Sequence, residues 1–526
     1  MNDDNQISHP NKRASLAVTL IYLGIIIVSF FYVYNRIFDG KINLNGDNIS
    51  YYLLGQALAT GQGYVNTTSR AKQPHRHFPV GYPLVVAAAS KAYSSEIIFI
   101  KRVNGFLLIS AVVILFLLLK SITQNNHISF VVALFCILNS NLLNYSYIMM
   151  SEISFLFFSI LALWMATKVN FDKPIVKNGL FFMLILCVVF VFHIKMTGLA
   201  LFLAIATYLL INKEKKYLLA FGLGFIVCSL PWYLRSRSLG GNSHMKSLLL
   251  KNPYEPELGA IGIADFIERV VSNIGRYIAR EIPSSTFNYV NITSYSEALS
   301  WGEFLVGASI VSVMLLGLYK MKIYRSLIGS YLFFFLGILV LWPEVWYGIR
   351  FILPIVPLLL FAFVYGIEQL VTSLAQKVRF QKQVPYIPIA LLLGALFLVP
   401  SYLEPLKALE RASKQPYPIS YANYFKLANW VNENTPRGSL TCCRKPILFS
   451  LYSNKYSVPY KNTLNQQEFI EDLEKKGVDY VVLDQLGYSS TAKYLYPTIK
   501  NNPERFEVIA YMEEDPITYL LKFKKK

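Results

Sequence analysis

The chain has 526 residues, of which 54% are hydrophobic and only 15% charged, and its mean hydropathy is +0.41. A soluble protein of this length needs more charge to cover its surface, so most of the chain must sit in lipid. The net charge of +19 would suggest nucleic acid in a soluble protein. Here the basic residues cluster in short links between apolar runs, so the charge sets orientation and a nucleic-acid partner is excluded.

In chain order, Leu16 to Tyr34 follows Lys12-Arg13 and is too long for a signal-peptide core, so it reads as a retained anchor. It is the first of about eleven apolar runs long enough to span a bilayer. These runs centre near Ile25, Val112, Leu134, Leu161, Ile185, Ala204, Gly224, Val311, Leu336, Leu360 and Leu393. Every second link carries lysine or arginine: Lys120; Lys168, Lys173 and Lys177; Lys213, Lys215 and Lys216; Lys320, Lys322 and Arg325; Lys377, Arg379 and Lys382. The positive-inside rule then predicts a cytoplasmic N-terminus and a C-terminus outside. A multi-pass integral membrane protein is expected.

The same alternation predicts three longer outer segments: residues 35–98, 235–300, and 401 to the end. In the first, Asp47 can cap an interfacial helix with Ile49, Tyr52, Leu53 and Ala57 on one face, which Gly61 stops. Residues 1–400 thus form a membrane module, and 401–526 a small extracytoplasmic α/β domain. Helices are predicted for Ser420 to Asn434 and Gln466 to Lys476, and strands for Val478 to Asp484, Phe506 to Tyr511 and Thr518 to Phe523. Of the five cysteines, Cys136, Cys187 and Cys228 read as small core residues, and Cys442-Cys443 lacks zinc-site spacing.

Asp47, Glu152, His193, Lys195, Arg235, Arg237, Glu344 and Arg350 all map to outer loops or outer helix ends. A transporter would hold its polar groups near the midplane on broken helices, so one-sided polarity favours a reaction at the surface. Lys195 breaks the charge rule that governs the other links, and such exceptions need a reason. Snorkelling to the headgroups is the bland reading for it, as helix-dipole placement is for Glu152 and capping for Asp47. Trp232, Trp342 and Trp346 have an aromatic belt as their default explanation.

Three stretches carry a resemblance: Gly46-Asp47-Asn48-Ile49-Ser50-Tyr51-Tyr52, Ala59-Thr60-Gly61-Gln62-Gly63-Tyr64 and Phe78-Pro79-Val80-Gly81-Tyr82-Pro83. Arg102, Ser151-Glu152, Leu230-Pro231-Trp232-Tyr233-Leu234-Arg235 and Arg350-Phe351-Ile352-Leu353-Pro354 follow in order. Together they resemble the GT-C membrane glycosyltransferases, in particular the branch of protein O-mannosyltransferases and the aminoarabinose transferase of lipid A. The resemblance covers roughly the first 370 residues. It implies a GT-C fold and transfer, with inversion, of a hexose or pentose from a polyprenyl-phosphate-linked donor to an acceptor. That acceptor is a protein, lipid or polysaccharide, and membrane lipids are the remaining partners.

By the same resemblance Asp47 is the general base and Glu152 a second site acid. Lys195, Arg350, Arg102 and Arg235 bind the donor phosphate. His75, Arg76, His77 and Tyr82 are substrate contacts. Asp47, Glu152 and His193 would hold a divalent cation if the reaction uses one, and no other cofactor is implied. The chain departs from the family at Asn48, where a second acid is usual, and at Pro79-Val80, where Pro-Pro is common. Two other readings remain open from the residues alone: a transporter or flippase of a lipid-linked saccharide, and a non-catalytic envelope assembly protein.

Overall fold

The computed structural model describes residues 12–44, 46–241, 247–255, 258–287, 297–377 and 401–525. The candidate span centred on Leu393 lies outside the described residues. The chain forms two compact units. One comprises Met1–Gly40, Arg76–Tyr82 and Glu96–Ser413, and the other Lys41–His75, Pro83–Ser95 and Lys414–Lys526.

The first unit is a polytopic helical membrane protein. Among the described residues, five of its helices are long and apolar enough to cross a bilayer: Ser15–Ile37, Ile97–Thr123, Lys215–Ser238, Trp301–Lys320 and Ile349–Leu374. Shorter apolar helices are Ser151–Ala166, Gly179–Ile194, Met196–Ile211 and Arg325–Val340. The helices Asn126–Leu138 and Ser140–Ser146 meet at a 60° bend. Asn139 makes that bend, since its side chain accepts from Leu142 N at 3.0 Å and donates to Ser285 O at 2.8 Å. The first bond starts a new helix and the second fixes its direction. Large apolar side chains such as Val28, Phe106, Leu219 and Phe333 stand exposed on these helices, as a lipid-facing surface requires. Cys136 and Cys187 are buried as expected, but Cys228 is exposed. Composition does not separate a lipid-facing position from a core one, because lipid is as apolar as the core.

One further helix, Ile263–Arg276, is built inside out. Ile263, Phe266, Ile267, Val271 and Ile274 are exposed, while Arg269, Asn273 and Arg276 are buried. Asn273 donates to Val340 O at 2.9 Å and Trp342 O at 2.8 Å, satisfying carbonyls at the end of the Arg325–Val340 helix.

The second unit holds a five-stranded sheet of order β2-β1-β3-β5-β4. Its strands are β1 Leu440–Cys442, β2 Tyr456–Val458, β3 Tyr480–Leu483, β4 Phe506–Met512 and β5 Thr518–Phe523. β1 pairs in parallel with β2 and β3, and β5 runs antiparallel to β3 and β4. Phe469, Leu473, Val478, Val481, Leu495 and Leu521 fill the core beside it. The helices Ile419–Asn434 and Gln466–Lys476 agree with the sequence expectation to within a residue.

The segments 41–75 and 83–95 belong to this unit by direct contact. Tyr417 Oη donates to Ile42 O at 3.1 Å, Ser457 N donates to Thr68 O at 3.2 Å, and Arg70 forms a 3.0 Å ion pair with Asp479. The Gly46–Ala59 helix packs on the Pro446–Ser453 helix. Its inward face is Asn48, Ile49, Ser50, Tyr51, Leu54, Gly55 and Ala57, which includes Ile49 and Ala57 of the expected face but not Tyr52 or Leu53. Gly55 makes room on that face, because a Cβ there would meet the Val86 side chain at 2.5 Å and Pro83 O at 3.1 Å.

Candidate active site

Three helix ends meet in the membrane unit. Glu152 lies in the first turn of Ser151–Ala166, Lys195 terminates Gly179–Ile194, and Arg350 lies in the short helix Ile349–Ile352. Lys195 Nζ donates to Glu152 Oε1 at 2.8 Å, and Arg350 Nε donates to the same oxygen at 2.7 Å. The Glu152 side chain is fully buried, and the two cations keep only 15% and 20% of their side-chain surface exposed. Glu152 Oε2 has no hydrogen-bond partner among the described residues. The formal charge of the triad is +1. Phe351 adds a shared aromatic face, 5.7 Å from both the Lys195 ammonium and the Arg350 guanidinium.

Local sequence explains why these ends coincide. Lys195 breaks the helix with extended backbone, and Met196–Gly198 forms a tight turn into the next helix. Gly198 permits that turn, because a Cβ there would lie 2.7 Å from Phe192 N. Gly81, from the Pro79-Val80-Gly81-Tyr82 run, lies against the same helix end, where a Cβ would stand 2.5 Å from Ile194 N. Asn104 then holds the turn before Glu152, donating to Ile148 O at 2.5 Å and to Tyr82 Oη at 3.0 Å.

Other candidates take different places. Tyr82 is buried, with its hydroxyl accepting from Asn104. His75 is likewise buried, with Nδ1 2.6 Å from Asn66 Oδ1. Arg76 is exposed and donates to Leu239 O at 2.7 Å, capping the Lys215–Ser238 helix, and His77 stacks edge-on with Phe78. Arg235 lies 4.9 Å from the Trp232 ring, and Arg102 5.4 Å from the Phe38 ring. The His193 ring lies 6.1 Å from Trp232, and its Nδ1 has no partner among the described residues.

Asp47 belongs to the other unit. It lies half-buried in the first turn of Gly46–Ala59 rather than before it, where its charge still complements the helix dipole. Asn48 beside it donates from Nδ2 to Asn43 O at 2.7 Å. A carboxylate has no such donor, so the amide gives this position a structural task that an ionised acid does not perform.

A divalent cation at Glu152 would stand beside the like charges of Lys195 and Arg350, which oppose it. No group of three His, Cys, Asp or Glu suited to a metal occurs among the described residues.

Sequence reasoning missed Asn104 and Lys101, although an amide in an apolar run is a legible signal. Lys101 is 2% exposed and donates to Asp39 O, whereas its neighbour Arg102 is exposed. It also missed a second charged cluster around the π-helical turn Tyr277–Glu281. There Arg276 pairs with buried Glu281 at 2.8 Å, and Arg280 with Glu303 at 3.3 Å. Both arginines line a cavity of about 460 Å³.

No family model and no curated protein sequence matches the chain. Solved structures do. An archaeal oligosaccharyltransferase, AglB from Archaeoglobus fulgidus, in complex with an inhibitory peptide and a dolichol-phosphate, matches with TM-score 0.59 at 12% identity. That match covers 97% of this chain and 74% of AglB. ArnT from Cupriavidus metallidurans bound to undecaprenyl phosphate also gives 0.59 at 12% identity, over 96% of this chain and 97% of ArnT. The apo state of ArnT gives 0.57 at 11% identity, over 97% and 98%. The fold is therefore shared with AglB and with ArnT. The likeness to ArnT runs over nearly the whole length of both chains.

Proposed function

We propose that this chain is a glycosyltransferase that moves a sugar from a polyprenyl-phosphate-linked donor to an acceptor at the outer face of a bacterial cell membrane. Its N-terminus is cytoplasmic and its sheet-containing unit extracytoplasmic, in keeping with the basic links. The observation that carries the reading is the triad. Three helix ends, remote in sequence, deliver two cations and one acid to a single point in the membrane unit. The fold is shared with ArnT solved with undecaprenyl phosphate and AglB solved with a dolichol-phosphate.

In this reaction an acceptor hydroxyl attacks the anomeric carbon while the bond from that carbon to the carrier phosphate breaks. The electron pair leaves with the phosphate, and configuration inverts. Asp47 takes the hydroxyl proton as the new bond forms. Lys195 and Arg350, which retain a net positive charge after pairing with Glu152, stabilise the charge gathering on the departing phosphate. Glu152 orients both cations and is itself held by them. Arg235 and Arg102 are further contacts for the phosphate or for lipid headgroups.

The test is transfer from a synthetic polyprenyl-phosphate sugar in nanodiscs, wild type against Asp47→Asn. The amide keeps the shape and removes the base. Transfer should fall on the order of 10²–10⁴-fold with insertion unchanged. Undiminished transfer would exclude Asp47 as base.

A further inference from the structure

The sheet-containing unit carries a second polar constellation that the transfer chemistry leaves unused. Strand order β2-β1-β3 means that the chain leaves β1 on one side for β2 and returns on the other as β3. In sheets with such parallel strands, the loops beyond the carboxyl ends diverge at this switch point and leave a crevice suited to ligands. The loop after β1 supplies Arg444 and Lys445, and the loop after β3 supplies Asp484 to Tyr488.

The Arg444 guanidinium lies 4.3 Å from the Tyr488 ring centroid, and the Lys445 ammonium 4.8 Å from it. Two cations thus lie against one aromatic ring, with no acid paired to either among the described ion pairs. Arg444 Nε is buried and has no hydrogen-bond partner among the described residues. Asp484 is 1% exposed; its Oδ1 accepts from Leu486 N at 3.2 Å and Thr491 Oγ1 at 3.4 Å, while its Oδ2 has no partner among the described residues. Hydroxyls complete the set: Tyr421 with Tyr488 at 3.3 Å, and Tyr460 with Ser490 at 3.2 Å and Thr491 at 3.1 Å.

An unpaired buried acceptor and an unpaired guanidinium nitrogen are costly to maintain, and their cost is relieved by a ligand that brings a donor to one and an acceptor to the other. A sugar ring offers hydroxyl donors and an apolar face for an aromatic ring. The two cations add a requirement for negative charge.

We propose that the crevice at the carboxyl ends of β1 and β3 binds a saccharide bearing an anionic group. Arg444 and Lys445 meet the anion, Tyr488 stacks on the ring, and Asp484 Oδ2 accepts a ring hydroxyl. The electrostatics of Tyr488 agree. Burial alone would raise its hydroxyl, yet Lys445, Tyr421 and the Arg444 charge bring it below the ordinary phenol. The inference rests on the transferase reading only in suggesting that the ligand is the acceptor; the binding itself does not require transfer.

The experiment is titration calorimetry on the full chain in nanodiscs with glucose 1-phosphate, glucuronate, glucose and inorganic phosphate. Both charged sugars should bind, glucose and phosphate more weakly, and Arg444→Met should weaken the charged sugars by about tenfold or more. Asp484→Asn should weaken the sugars and leave phosphate unchanged. Lys445→Met, at a partly exposed residue, is the second variant, and hydrogen exchange over β1 and β3 certifies that each is folded. Equal binding by wild type and both cation variants, or binding of phosphate as tight as that of the sugars, overturns the proposal, as does no binding at all. Sugar binding that persists in an Asp47→Asn protein that has lost transfer supports both readings. Transfer without sugar binding overturns this one alone.

Discussion

The two units treat their charges in opposite ways. In the membrane unit, Lys195 and Arg350 converge on one carboxylate oxygen and fix one another. In the sheet-containing unit, Arg444 and Lys445 stack on a phenol, while the nearby carboxylate of Asp484 keeps one oxygen unpartnered among the described residues. The contrast follows from surroundings. Against apolar helices a lone cation has no water to fall back on, so it must bring its counter-charge with it. At a loop crevice, water and ligands can exchange for one another, and unsatisfied groups remain usable. Each cluster keeps one carboxylate oxygen unpartnered among the described residues, Glu152 Oε2 and Asp484 Oδ2; what separates them is that only the membrane cluster pairs its cations with its acid.

The largest effect that would break this contrast is at Glu152. Glu152→Gln leaves Lys195 and Arg350 without their counter-charge, and should cost roughly 3–5 kcal/mol of stability in detergent, read by thermal unfolding. Adding Lys195→Met should recover part of the loss, because a single remaining cation has less to compensate. Equal stability of all three proteins would show that the triad is decorative. Gly81→Ala comes next. Its Cβ would strike the backbone at Ile194, so about 1–3 kcal/mol should be lost and transfer should fall with it, because Lys195 begins at the next residue. Asn104→Leu should cost about 1–3 kcal/mol by removing the buried donor to the carbonyl of Ile148.

How much of this was legible follows from the range of each interaction. The helix Gln466–Lys476 was legible to the residue because Asn465 caps it, its apolar positions repeat at helical spacing and Gly477 stops it. β1 and β2 are three residues each, too short to establish a period. Ile263–Arg276 escaped because its polar face points inward, the reverse of the pattern sought in a loop outside the membrane. Glu152, Lys195 and Arg350 could be singled out one at a time as charges at helix ends. Their pairing could not, since 43 and 198 residues separate the partners. The union of residues 41–75 with the C-terminal sheet was illegible for the same reason: Tyr417 and Ile42 meet across 375 residues.

The smallest expected effect tests whether Asp484 is held in readiness at a cost. Burial raises its carboxyl above the ordinary aspartate value, against the lowering by Leu486 N, Thr491 and Arg444. A folded-state pKa above the unfolded one means that the native unit binds the proton more tightly. Its contribution to stability is therefore full below about pH 4, the unfolded value, and is lost as pH rises through the folded value. Asp484→Asn cannot ionise, so it should flatten this slope and leave the unit at neutral pH no less stable than wild type. Hydrogen exchange over β3, followed from pH 4 to 8 in the full chain, reads the difference. A variant that loses protection at neutral pH would show that the ionised carboxylate is already satisfied, and the distinction between the two clusters would collapse.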